Sequence, residues 1–214
     1  MPENHGRGGP PPSIQQPYAF LSYGRTPQSP GGHMKRFHAK LSADLMELTD
    51  LGAGIDPVYL DSRTRLGAAW RSELKDHLAR CQVLVPVLSR RLFISKWCDV
   101  EWQCFERRQQ LQLARRTFTR KAVVPVLWTP LSPDEIPRPY ADVQYAHDDL
   151  GHDYVDGGLF GLLSDGRDRT FNKVVYRLAR NIVEVAVSAR LEPCDPALFD
   201  DLFDPLNGPA GEEH

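Results

Sequence analysis

VLVPVLSRRLFISKWCDVEWQCFERR, residues 83–108, decides the fold of this chain. Residues 83–88 are an apolar run of strand length, and a strand with no polar alternation is one covered on both faces, as in a parallel sheet. Ser95 supplies an N-cap for a helix that begins at Lys96 or Trp97. Within that helix Glu101 has Trp97 and Cys98 one turn before it and Cys104 and Phe105 one turn after. A carboxylate is therefore set among apolar neighbours. Two readings of it are open: a solvated acid that complements the helix dipole, or a partly desolvated group that does chemistry at the strand's carboxyl end.

The same alternation repeats on either side. Residues 18–23, YAFLSY, read as a buried central strand that breaks at Gly24. Met34, Phe37, Leu41, Leu45 and Leu48 then share one face of a helix over residues 33–49. A second strand at 56–60, with Pro57 near its start, ends at Asp61. The polar loop 61–67 follows it. The next helix places Trp70, Leu74, Leu78 and Cys81 on one side. Residues 122–128 supply a fourth buried strand, a short fifth is expected near 143–145, and a broad apolar stripe from Phe171 to Val187 marks a last helix over 168–191.

Strands alternating with helices imply an α/β fold with helices on both faces of a parallel sheet of four or five strands. The expected order is the flavodoxin-like 2-1-3-4-5, whose switch point lies between strands 1 and 3, so that the loop after Tyr23 and the start of the helix after residue 88 flank one crevice.

Residues 1–17, rich in Pro, Gly and Gln, are expected to be disordered, and residues 18–191 to form the domain, with 129–166 an extended region. Beyond Arg190 the chain holds no Lys or Arg, and the acidic tail 192–214 reads as disordered, with two alternatives for residues 198–203: a short docking helix, or a fold-back on the basic end of the Glu101 helix. With a formal net charge of −2 there is no overall pull toward nucleic acid or anionic membrane, and the basic run from Arg107 to Lys121, which holds the single aromatic Phe118 and no repeated interleaving, reads as a solvated face. No apolar run has the length of a membrane span and the N-terminus lacks a signal-peptide core, so a cytoplasmic location is expected. Cys81, Cys98, Cys104 and Cys194 form no CxxC pair and read as reduced, structural thiols. His147, Asp148, Asp149, His152 and Asp153 fit no standard metal spacing and read as a polar loop, so no metal is expected.

Three blocks together resemble the TIR domain family. They are Phe20-Leu21-Ser22-Tyr23; Asp61 with Leu66-Gly67, Trp70, Leu74, Leu78 and Cys81; and Leu88-Ser89, Ser95, Trp97-Cys98 and Glu101. Within the family, the stretches FLSYGRTP (20–27) and WCDVEWQCF (97–105) are most similar to the actinobacterial TIR-like FxsC proteins associated with a peptide-maturation system.

The resemblance implies two jobs. Many bacterial TIR domains hydrolyse NAD, and Glu101 stands where the family's catalytic glutamate stands. Substrate contacts would come from Ser22, Tyr23, Gly24, Arg25, Asp61, Trp70 and Trp97, with Arg25 facing the pyrophosphate; Trp70 has a core reading and Arg25 a solvated one beside these. NAD would be a substrate, and no cofactor is implied. The other job is a catalytically silent adaptor or scaffold. In both, TIR domains pair with other TIR domains through the BB loop, here Ser62, Arg63, Thr64, Arg65, Leu66 and Gly67 after Asp61. A receiver domain would need acidic residues where Tyr23-Gly24 and Ser89-Arg90 stand, and a dinucleotide-binding turn needs a GxGxxG that Gly24-Arg25-Thr26-Pro27 does not provide.

Overall fold

β1 (Ala19–Tyr23) is buried along its whole length, and its side chains alternate between the two faces of the sheet. Ala19, Leu21 and Tyr23 pack into one core, whereas Phe20 packs into the other. The computed structural model describes residues 17–26, 31–52, 54–61, 68–114, 121–138, 140–143 and 150–203. β1 pairs in parallel with β2 (Val58–Leu60) on one side and β3 (Val83–Leu88) on the other, and β3 pairs with β4 (Val126–Leu127), in the order β2-β1-β3-β4. This is the flavodoxin-like α/β arrangement, with four strands.

Helix α1 (Gly32–Leu48), α5 (His152–Ser164) and α6 (Asp168–Ala189) cover one face. The other is covered by α2 (Ala68–Arg80), the short α3 (Arg90–Ile94) and α4 (Lys96–Leu113). α4 starts where its cap was expected: the Ser95 hydroxyl accepts from the Cys98 N–H at 3.3 Å. α3 was not expected. Ser89 caps it in the same way, its hydroxyl accepting from the Leu92 N–H at 3.3 Å.

The fourth strand is shorter than the apolar run 122–128, and a proline explains why. Leu84 uses both its N–H and its C=O on the β4 side, to the Ala122 carbonyl at 3.0 Å and from the Val124 N–H at 2.9 Å. Pro86, two residues on, faces the same neighbour without an N–H to give. The ladder therefore reduces to a bridge between Leu84 and Val123 before resuming at Val126.

The fifth strand expected near 143–145 is not what borders β4 among the described residues. Val143 follows a 3-10 turn at Tyr140–Asp142, and residues 144–145 lie outside the described set. The edge is met instead by α5, whose Tyr154 hydroxyl accepts from the Leu127 N–H at 2.7 Å and whose Phe160 N–H donates to the Trp128 carbonyl at 2.9 Å. Gly158 makes this approach possible. It sits at φ 61°, interrupting α5, and a Cβ there would stand 2.4 Å from the Trp128 oxygen.

The acidic segment after α6 docks as far as residue 203. Pro196–Phe199 form a 3-10 turn and Asp200–Phe203 a single helical turn, α7, with Phe199 and Phe203 buried against α2 and α4. Spaced aromatics in an acidic stretch can bury enough apolar surface to offset ordering, which a composition reading undervalues.

Candidate functional site

Ser22 shares the Phe20 face of β1 and so points toward α4. Its hydroxyl donates to Glu101 Oε2 at 2.5 Å, and both residues are only 3% exposed. Glu101 thus lies inward beneath the carboxyl end of β1, and the solvated reading of this acid does not hold. A hydroxyl donor is what a carboxylate needs where water is excluded.

Asp61, the residue after β2, is a second buried acid. Its Oδ1 accepts from the Trp70 indole N–H at 3.0 Å, and its Oδ2 lies 2.5 Å from Arg25 Nη2. Arg25 also donates to the Asp61 carbonyl oxygen, and its guanidinium lies 5.6 Å from the centre of the Tyr23 ring. Trp70 meets Trp97 edge-to-face with ring centres 5.0 Å apart, and Trp97 in turn meets Phe203 at 6.1 Å.

Ser22 and Glu101 are therefore in direct contact, and Arg25, Asp61, Trp70 and Trp97 form an adjoining array. Gly24 has a packing role: a Cβ there would come within 2.3 Å of the Arg91 carbonyl carbon, so its lack of a side chain lets the end of β1 close on α3. Residues 62–67, the expected pairing loop, lie outside the described residues.

Tyr59 joins the group without having been singled out in the sequence. Burial pushes its phenol well above the usual value, the charges of Asp61, Glu73 and Glu101 push it further, and Arg25 opposes them. A tyrosine in a strand reads only as a large, half-apolar side chain; Asp61 is two residues on, but Glu73 and Glu101 come from α2 and α4 and reach it only through tertiary packing.

A cleft of about 440 Å³ opens at the carboxyl edge of the sheet. Tyr23 and Gly24 line it, together with the first residues of α1 and α3 and the rings of Trp128 and Phe160. Its place is the crevice between strands 1 and 3 where ligands of open α/β sheets bind. The cleft shares Tyr23 and Gly24 with the expected substrate contacts, whereas Glu101 is not part of its lining.

Other chemistry finds less support. Among the described residues no group of three or more His, Cys, Asp or Glu side chains is placed to hold a metal ion. His152 pairs with Asp156 and Asp153 with Arg167, while residues 147–149 lie outside the described set. All four cysteines are free, and burial pushes the Cys81 thiol up to about 12, where it is an inert packing group. No helix among the described residues is long and apolar enough to cross a membrane.

Neither a curated protein nor a solved structure matches the chain. The family model for the TIR domain matches residues 20–155, more than half of the sequence, from β1 through the first turn of α5. With the parallel sheet, the crevice and the inward glutamate in place, the chain belongs to the TIR domain family.

Proposed function

We propose that this chain is a TIR signalling protein that hydrolyses NAD to nicotinamide and an ADP-ribose product, with Glu101 as the catalytic residue. The observation that carries the reading is the inward Glu101 carboxylate, held by Ser22 at the carboxyl end of the central strand. The chemistry suits a lone acid. As the bond between ribose C1′ and the pyridinium nitrogen breaks, its electron pair neutralises the nicotinamide, which therefore leaves without needing a proton. Positive charge builds on the ribose, where a carboxylate stabilises it and orients a hydroxyl or the attacking water. The water's surplus proton passes to solvent. Trp70 and Trp97 offer apolar walls, and Arg25 would reach a pyrophosphate only by leaving Asp61.

The protein would work as an assembly of TIR domains in contact through residues 61–67, in line with the family. The test is nicotinamide release at protein concentrations that allow assembly. Wild type should consume NAD, and Glu101→Ala should lose about a hundredfold or more of the rate. Equal inertness of the two proteins under those conditions would end the enzymatic reading.

A silent scaffold, as the resemblance to peptide-maturation proteins suggests, is the second reading. It is favoured by the same burial seen from the other side: Glu101 is covered, and Arg25 is already engaged by Asp61. On that reading Glu101→Ala lowers stability and leaves self-association, measured by light scattering, tied to residues 62–67.

A further inference from the structure

The chain beyond α6 is steered back across the site-bearing helix. Arg190 adopts the left-handed conformation, φ 42°, which ends α6 and reverses the chain. Arg108 of α4 then donates to the carbonyls of Leu191 and Glu192, at 3.1 and 2.8 Å, and fixes the start of the returning segment at the far end of α4. From there the segment reaches the beginning of α4, where Phe203 packs on Trp97.

We propose that Phe203 is a positioning residue for the Glu101 site. It backs Trp97, Trp97 holds Trp70 edge-to-face, and the Trp70 indole N–H fixes the Asp61 carboxylate that binds Arg25. Phe203 is 3% exposed, so the contact is a packed one, and the Lys75 ammonium over its ring at 5.5 Å closes its outer side. The array that flanks Glu101 is thus completed by a residue outside the span of residues 20–155 that the family shares. The ion pairs that accompany the segment, Arg107–Asp201 at 2.5 Å and Lys75–Asp200 at 2.6 Å, are exposed and contribute little. Apolar burial of Phe199 and Phe203 holds it, and the array therefore persists at high salt.

The effect on turnover rests on the NAD reading; the geometric claim does not. The test compares full-length wild type, Phe203→Ala, Phe203→Leu and, as a control for general destabilisation, Phe171→Leu in the core on the opposite face. Nitrogen-15 spectra report the indole N–H resonances, and nicotinamide release gives kcat and KM. Phe203→Ala should shift the Trp70 and Trp97 indole signals, leave that of Trp128 in place, and lower kcat/KM about tenfold or more. Phe203→Leu should recover part of both effects, and Phe171→Leu should produce neither. A folded Phe203→Ala protein whose Trp70 indole does not move, or whose moved indole leaves kcat/KM at the wild-type value, would overturn the proposal. If wild type releases no nicotinamide, the NAD reading falls and the Trp70 resonance alone decides whether Phe203 sets the array.

Discussion

Replacing Arg108 by Met should destabilise the fold far more than loss of an ordinary surface arginine. The side chain is 2% exposed and its guanidinium is held by carbonyl oxygens. Nη1 donates to Leu78 and Cys81 at 3.0 and 2.7 Å, at the end of α2, while Nε and Nη2 serve Glu192 and Leu191 beyond α6. The last carbonyls of a helix are without intrahelical partners and carry its partial negative charge, so the cation is stabilised by backbone dipoles. Burial pulls its pKa below the usual arginine value, the expected sign for a desolvated cation.

Hydrogen bonds to a charged group contribute about 1.5–3 kcal/mol each, so four of them set an upper bound of about 12 kcal/mol. Removing the cation also removes its desolvation cost of several kcal/mol, and Met refills most of the volume. A net loss of about 3–5 kcal/mol remains, with the abandoned carbonyls as its main source. For a chain of this size that corresponds to a fall in Tm of roughly 10 °C. Urea and thermal denaturation would measure it, and limited proteolysis should show cleavage after Leu191 in the variant first. A loss below about 1 kcal/mol would refute the carbonyl-cage argument, because the guanidinium bonds would then only balance their desolvation cost.

Gly158→Ala should cost at least about 2 kcal/mol, from the positive φ alone, before the clash with the Trp128 carbonyl is counted; unchanged urea midpoints would refute the tight contact between α5 and β4. Gly24→Ala should be as damaging, since the new methyl would meet backbone rather than a yielding side chain of α3. Burial lowers the His77 pKa below 6.5, although Glu73 pulls it the other way, so the neutral ring is the folded form. Its contribution is complete above pH 6.5 and is lost as pH falls through the folded value, and His77→Gln should flatten the slope of stability against pH in that window. Ser22→Ala, Glu101→Gln and the double variant form a cycle whose coupling should be about 1–3 kcal/mol if their 2.5 Å bond stabilises the fold; additive losses would show that it does not.

The parallel sheet was legible because each of its strands carries its own signal. β1 is apolar but for Ser22 and the Tyr23 hydroxyl, β3 is apolar throughout, and Ser95 and the apolar spacing announce α4 within a few residues of its start. α5 was not legible because Gly157, Gly158 and Gly161 lower helix propensity, and what Gly158 gains, a close approach to Trp128, involves a partner some thirty residues away. The site divided the same way. Glu101 and its aromatic neighbours lie within one helix and could be read together. The pairing of Arg25 with Asp61 joins the ends of two neighbouring strands, and only their register brings those ends together.

The basic end of α4 marks where one-dimensional reading stops. Arg107 and Arg108 are adjacent, and as a charge run both read as solvated. A helix turns about 100° per residue, so neighbours cannot share an environment. Arg107 remains at the surface and binds the Asp201 carboxylate through two parallel hydrogen bonds, whereas Arg108 is turned into the core. What makes the inward position tolerable is the meeting of two chain segments, the end of α2 and the exit from α6, whose carbonyls converge on one point. Gln112, one turn on, completes the junction by donating to the Arg190 carbonyl at 3.0 Å and accepting from the Glu192 N–H at 2.7 Å. The direction of the C-terminal segment, and with it the placement of Phe203 against Trp97, follows from satisfying backbone groups at two helix ends. That requirement is fixed by tertiary contact and leaves no periodic trace in the sequence.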